Sequence, residues 1–139
     1  MHKRTITYND HFGKPRTEDF YFHYSKTELM EMEMSTEGGY ADRLMGIVKA
    51  NSSTEIFFLM KKLLLGAYGV KSEDGRLFEK SEKIRYEFEH CPAYDVLMQE
   101  LCLGEDAHKK AAEFFNAIVP EGTAKADAPA AIPAVSAAT

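Results

Sequence analysis

The chain has 139 residues, 28% of them charged and 45% hydrophobic, with a formal net charge of -5 and no Trp. That length suits one domain whose core needs no disulfide or metal, and the composition is that of an ordinary soluble globular protein. The weakly acidic balance argues against a general nucleic-acid binder, which carries a basic face. The best candidate for a membrane span, residues 56–68, is too short for a bilayer and carries Lys61 and Lys62.

The opening Met-His-Lys-Arg-Thr-Ile-Thr-Tyr is not the apolar run of a secretory signal. The expected compartment is therefore the cytoplasm, where Cys91 and Cys102 stay reduced. Residues 3–8 alternate Thr5 and Thr7 with Ile6 and Tyr8, the period of a half-buried strand. Residues 9–15 supply Asn, Asp, Gly and Pro, which are turn formers. Residues 17–24 read as a second strand, with Phe20, Phe22 and Tyr24 on one face and Tyr21 and His23 on the other. A lone hairpin is marginal in water, so the aromatic face must dock on helices or on another chain.

Ser25 and Glu28 form a capping box, with Tyr24 and Leu29 placed as its hydrophobic staple. Met30, Met32 and Met34 alternate like a strand, but Leu, Met and Glu are good helix formers, so the spacing is read as a helix. Gly38-Gly39 breaks it. Tyr40, Leu44, Ile47 and Val48 then mark an amphipathic helix ending near Asn51, and Ser52 with Glu55 offers another capping box.

Residues 52–69 organise the rest. Ile56, Met60, Leu63, Leu64, Ala67 and Tyr68 recur at helical spacing, and Phe57 and Leu59 widen the apolar face. Such a helix needs neighbours on most sides. Gly69 suits a left-handed C-terminal cap, and Gly66 weakens the last turn or lets a neighbour come close. Residues 71–80 read as a polar connection with a Ser-Glu-Asp-Gly turn, anchored by Leu77 and Phe78.

Ser81 caps a short helix with Ile84 and Phe88 facing inward, and Pro92 suits the first turn of the next helix. That helix carries Tyr94, Leu97, Met98, Leu101 and Cys102 and ends at Gly104. A last helix carries Ala107, Ala111, Phe114, Phe115 and Ile118 and stops at Pro120. Beyond it Ala, Pro, Gly, Ser and Thr dominate, and only Ile132 and Val135 are large and apolar. Too little surface can be buried there to offset chain entropy, so residues 121–139 read as a flexible tail. The expected fold is α+β: one domain over residues 1–120, with a hairpin over 3–24, helices from 25 to 119, and the tail.

Signatures of enzymatic chemistry are weak. No Walker loop, dinucleotide glycine motif or nucleophile elbow occurs. His90, Cys91, Cys102 and His108 are the right ligand types for zinc, but their spacing matches no common zinc site, so no metal or cofactor is assigned. His90 and Cys91 are sequence neighbours and do not face each other on a helix. Glu31/Glu33 and Glu87/Glu89 read as solvated faces rather than acid–base pairs, so no catalytic residue is assigned. Two features invite partner binding. Met30, Met32 and Met34 offer an adaptable surface. Phe114, Phe115, Ile118 and Val119 crowd the last helix. Most of these side chains are expected in the core, and one exposed member of each group suffices as an anchor.

Five segments carry a family resemblance: Arg4-Thr-Ile-Thr-Tyr-Asn-Asp; Thr17-Glu-Asp-Phe-Tyr-Phe-His-Tyr-Ser-Lys-Thr-Glu-Leu-Met-Glu-Met-Glu; Gly69-Val-Lys-Ser-Glu-Asp-Gly-Arg-Leu-Phe-Glu-Lys-Ser; Tyr94-Asp-Val-Leu-Met-Gln-Glu-Leu; and Ala112-Glu-Phe-Phe-Asn-Ala-Ile-Val-Pro. In order and spacing the chain resembles the tail assembly chaperones of long-tailed bacteriophages and prophages of Gram-positive bacteria. The resemblance implies a non-enzymatic assembly factor of the host cytoplasm that binds the tape measure protein, keeps it soluble and promotes tail tube assembly. It implies a longer frameshifted form diverging near Pro120, contact with the major tail protein, and self-association on the partner. No nucleic acid or membrane is implied. Met30, Met34, Phe114, Phe115 and Ile118 are then the candidate partner-binding residues. The alternatives are a structural tail or head–tail connector component and a small thiol- or carboxylate-dependent enzyme.

Overall fold

A computed structural model describes residues 1–40, 42, 43, 46, 50, 53–103 and 106–119. The two N-terminal strands pair as the alternation requires. β1 (His2–Asn9) and β2 (Pro15–Phe22) are antiparallel, with His2 opposite Phe22 and Asn9 opposite Pro15. Asp10 shapes the loop between them. Its side chain accepts from the amides of Phe12 and Lys14, both at 2.9 Å, and from Arg16 Nε at 2.8 Å. Gly13 supplies the positive φ (81°) that lets the chain turn back. The predicted faces hold: Ile6, Tyr8, Phe20, Phe22 and Tyr24 are buried, while Thr5, Thr7, Thr17 and Asp19 lie on the outer face.

Among the described residues the helices follow the sequence reading in place, and two of them in their Ser25 and Ser81 caps. The helices are α1 (Lys26–Ser35), α2 (Ser53–Ala67), α3 (Glu82–Glu89) and α4 (Pro92–Cys102), and α5 (Ala107–Ile118) completes the set. Ser81 Oγ accepts from the Ile84 amide at 3.1 Å, and Pro92 opens α4. The helix expected around Leu44, Ile47 and Val48, the Ser52 cap, Gly104, Pro120 and the expected tail lie outside the described residues.

The connection after α2 departs from the sequence reading. Gly69 is not a left-handed cap. Helix α2 stops at Ala67 and passes directly into β3 (Tyr68–Lys71), which pairs antiparallel with β2 through Tyr21–Gly69 and Phe22–Tyr68. β4 (Phe78–Glu79) pairs with β3 in turn, so the hairpin grows into a four-stranded antiparallel sheet in the order β1-β2-β3-β4. A four-residue and a two-residue strand are too short to show a period in sequence; an existing edge, β2, templates them. Gly69 serves close approach instead: a Cβ there would stand 2.7 Å from the Phe78 ring and 2.9 Å from the Glu79 carbonyl oxygen. The expected Ser-Glu-Asp-Gly turn is present, with Gly75 N–H donating to the Ser72 carbonyl at 3.0 Å. Phe78 is half-buried, but Leu77 is exposed and anchors nothing.

The helices cover the inner face of the sheet, giving two layers around one aromatic cluster. Phe22 is fully buried and meets Phe88 of α3 and Phe114 of α5 edge-on at 5.6 and 5.4 Å. Tyr68 stacks on Phe88 at 4.3 Å. Offset and edge-to-face ring pairs of this kind add to the area term. Leu63, Leu64, Leu97, Leu101 and Ile118 close the core around it. Thus the hairpin is not a free aromatic face; its docking partners are within the chain.

Candidate interaction surface

Helix α1 rests on the core through Leu29 and Met32, and its ends show how it is held. Both halves of the capping box form: the Glu28 amide donates to Ser25 Oγ at 3.1 Å, and the Ser25 amide donates to Glu28 Oε1 at 2.8 Å. The other carboxylate oxygen of Glu28 accepts from Lys80 Nζ at 2.7 Å. Lys80 also donates to the His23 carbonyl at 2.8 Å and stands 4.7 Å from the Tyr24 ring centroid and 5.8 Å from that of Phe78. Burial opposes ionisation of Glu28, but the Lys80 and Ser25 hydrogen bonds outweigh it and hold its carboxyl below the usual carboxylate range. Burial likewise lowers the Lys80 pKa, against the pull of Glu28.

Beyond its cap, α1 buries no residue. Leu29 and Met32 rest half-buried on the core, while Met30 and Met34 are 62% and 80% exposed. Residues four apart share a helix face, so these two methionines form one outward stripe. Thr36 ends the helix, its hydroxyl donating to the Met32 carbonyl at 2.8 Å, and Gly38 and Gly39 turn the chain at φ 79° and 92°.

Between α1 and α2 runs an open groove of about 460 Å³. Met32, Ser35 and Thr36 form one wall; Lys62, Leu63, Leu65 and Gly66 form the other; Tyr24, Tyr40 and Arg85 complete it. At its floor the Tyr24 hydroxyl donates to the Leu63 carbonyl at 2.8 Å. Burial raises the pKa of that phenol and keeps it a donor. Gly66 makes this possible, because a Cβ at that position would run into the Tyr24 hydroxyl; close approach is the right one of the two roles expected for it. A second groove of about 350 Å³, lined by His2, Arg4, Glu100, Leu101, Lys110, Glu113 and Phe114, is charged, and Arg4 pairs with Glu100 across it.

The candidate residues of the last helix fall mostly inside. Phe114 and Ile118 are core side chains, and Phe115 is half-buried against them. Met30 and Met34 face out. Sequence reasoning misplaced part of α2. Phe57, expected to widen the buried face, is 41% exposed, and its neighbour Phe58 is 59% exposed and meets it edge-on at 5.4 Å. At about 100° per residue, Phe58 falls roughly 140° round α2 from Leu63, and that wheel position is the signal for it. Lys80 was missed because nothing local marks a lysine that reaches 52 residues back to a cap.

Nucleophilic chemistry finds little support. Burial pushes the Cys102 thiol up, away from the reactive thiolate. Cys91 is the N-cap of α4, while the neighbouring His90 ring stacks on Tyr86 at 4.0 Å and donates from Nδ1 to the Tyr86 carbonyl at 2.8 Å. Among the described residues no three His, Cys, Asp or Glu side chains cluster to hold a metal ion, and no helix is long and apolar enough to cross a membrane.

What the described surface offers is an apolar groove and exposed Met and Phe side chains. A family model described as phage tail assembly chaperone matches residues 1–138. The chain belongs to that family. Comparisons with curated proteins and with solved structures find no match. Membership gives the chaperone a role in phage tail assembly, in a family of chaperones rather than enzymes, and tail proteins as its class of partner.

Proposed function

We propose that this chaperone binds the tape measure protein in the host cytoplasm, keeps it soluble and promotes tail tube assembly, without catalysis. The observation that carries the proposal is the outward Met30/Met34 stripe beside an apolar groove, in a chain matched to the family over residues 1–138. A long tail protein with helical apolar stripes needs shielding until it is packed. Methionine suits that task because its unbranched, polarisable side chain packs against many surfaces. Each contact is shallow, but many copies along one long partner raise the effective concentration and give avidity without a deep pocket. Phe115 is the member of the last helix we assign to the same contact; Phe114 and Ile118 support it from the core. The reading includes self-association along the partner, a longer form sharing this N-terminus, and the major tail protein as a further contact.

An affinity pull-down of the N-terminally tagged chain from phage-producing cells, read by mass spectrometry, tests this. Recovery of a very large, coiled-coil-rich tail protein is expected. Met30→Asp with Met34→Asp should abolish that recovery while changing folding stability by no more than about 0.5 kcal/mol per site, as for surface positions. Recovery of tube or connector proteins alone, or retention by the double variant, refutes the assignment.

A further inference from the structure

The sheet ends on two unequal edges. β4 has two residues, whereas β1 runs for eight in unbroken register, with no Pro or Gly among them. A long regular edge strand is a template for a further strand, because one side of its backbone is left unpaired. Hydrogen bonds at the ends of β2 tell which groups of β1 are on that side. The Asp10 amide donates to the Lys14 carbonyl at 2.8 Å, continuing the register of the strands, and hydrogen-bonded pairs alternate along an antiparallel ladder. The even-numbered residues of β1 therefore bond β2, and the amides and carbonyls of Lys3, Thr5, Thr7 and Asn9 point away from the sheet. The other side of β2 agrees: its odd-numbered residues turn to β3, with the His23 amide donating to the Ala67 carbonyl at 2.9 Å. Among the described residues none outside β2 makes a backbone hydrogen bond to residues 2–9.

We propose that β1 pairs antiparallel with β1 of a second copy about a two-fold axis at Ile6, joining two four-stranded sheets into one. The edge is self-complementary. With Ile6 opposite Ile6 of the copy, Thr5 meets Thr7 and Lys3 meets Asn9, so all four outward residues find partners and Ile6 stays on the inner face of both sheets. A shift of two residues leaves Lys3 or Asn9 opposite a residue outside the strand. A shift of one sets the outward groups against groups already bonded to β2. Charge fits as well, since Lys3 and its copy stand at opposite ends of the ladder, about 20 Å apart. In the helix layer, Val96 and Leu103 are 38% and 63% exposed. They lie one turn to either side of Glu100, which pairs with Arg4 of β1, so this apolar stripe borders the open edge on the side where the helices of the copy would lie. Use of the pair on a tail protein rests on the function proposed above; the pairing itself rests on the strand.

Sedimentation equilibrium of the full chain across a dilution series, with no tail protein present, tests the pairing. A mass approaching twice the 15.7 kDa of one chain is expected at the concentrated end. Thr5→Lys with Thr7→Lys sets like charges opposite each other at both Thr pairs and should weaken dimerisation roughly tenfold. Thr5→Lys with Thr7→Glu sets opposite charges there and should dimerise at least as well as the unaltered chain. Residue-resolved amide exchange by NMR on the unaltered chain checks the register even where a variant fails to fold: the Thr5 and Thr7 amides should slow as concentration rises, while those of Ile6 and Tyr8, bonded to β2, stay slow throughout. A single-chain mass at every concentration, a dimer whose Thr5 and Thr7 amides remain fast, or equal weakening by both variant pairs overturns the proposal. Recovery of the tape measure protein by a chain that stays monomeric refutes the pairing alone; a dimer of this register with a failed pull-down refutes the function alone.

Discussion

Tyr24 and Gly66 make a pair whose coupling can be worked out from the structure. The Tyr24 hydroxyl, on a side chain only 5% exposed, donates to the Leu63 carbonyl at 2.8 Å. A Cβ on Gly66 would collide with that hydroxyl and lie 3.3 Å from Cζ. Gly66→Ala alone gains at most about 1 kcal/mol of helix propensity, but overpacking a buried contact costs about 1–3 kcal/mol, so the net is a loss of about 1 kcal/mol. Tyr24→Phe alone loses about 1 kcal/mol with the hydrogen bond. In the Tyr24→Phe background the colliding atom is gone, and Gly66→Ala becomes neutral or stabilising. The two changes together should therefore cost less than their sum, with a coupling of about 1–2 kcal/mol. A four-protein urea-denaturation cycle measures it. If Gly66→Ala has the same effect in both backgrounds within about 0.5 kcal/mol, the range expected of independent sites, the close-packed floor of the groove is refuted.

Two further outcomes follow from the same coordinates. Gly69→Ala should destabilise by about 2–3 kcal/mol, because the new methyl meets the Phe78 ring at 2.7 Å and the immovable Glu79 carbonyl at 2.9 Å; a thermal melt unchanged within a degree would show that β3 and β4 do not pair this way. Stability should also fall below about pH 6.5. Burial, reinforced by nearby positive charge, lowers the pKa of His2 and His23 from 6.5, and the buried His2 Nε2 and His23 Nδ1 have no hydrogen-bond partner among the described residues. The unfolded chain then binds protons that the folded one resists, so their neutral forms contribute fully above 6.5 and the contribution is lost as pH falls toward the lowered folded values. His2→Gln combined with His23→Gln should flatten the slope of stability against pH between about 7 and 5.5 in denaturation curves; an unchanged slope would assign it to other groups.

The sequence by itself determined whatever depends on neighbours a few residues apart. Alternation assigned Ile6, Tyr8, Phe20 and Phe22 to the inner face, because side chains on a strand point to opposite sides in turn. The Ser25 and Ser81 caps, the Gly75 turn and the apolar stripes of α4 and α5 were legible for the same reason: each is satisfied within one or two turns of chain. Tertiary structure decided what depends on partners far apart. Tyr68 and Gly69 become strand because the β2 edge is there to pair with, and Gly69 is glycine because Phe78 crosses it. Phe57 is 41% exposed although its hydrophobicity matches that of the buried Leu63 and Leu64, since burial depends on what packs against each side of the helix. The candidate surface divides likewise. The methionines of α1 were visible as a pattern, but only packing set Met30 and Met34 outside, Met32 on the groove wall, and Lys80 beneath the helix that carries all three.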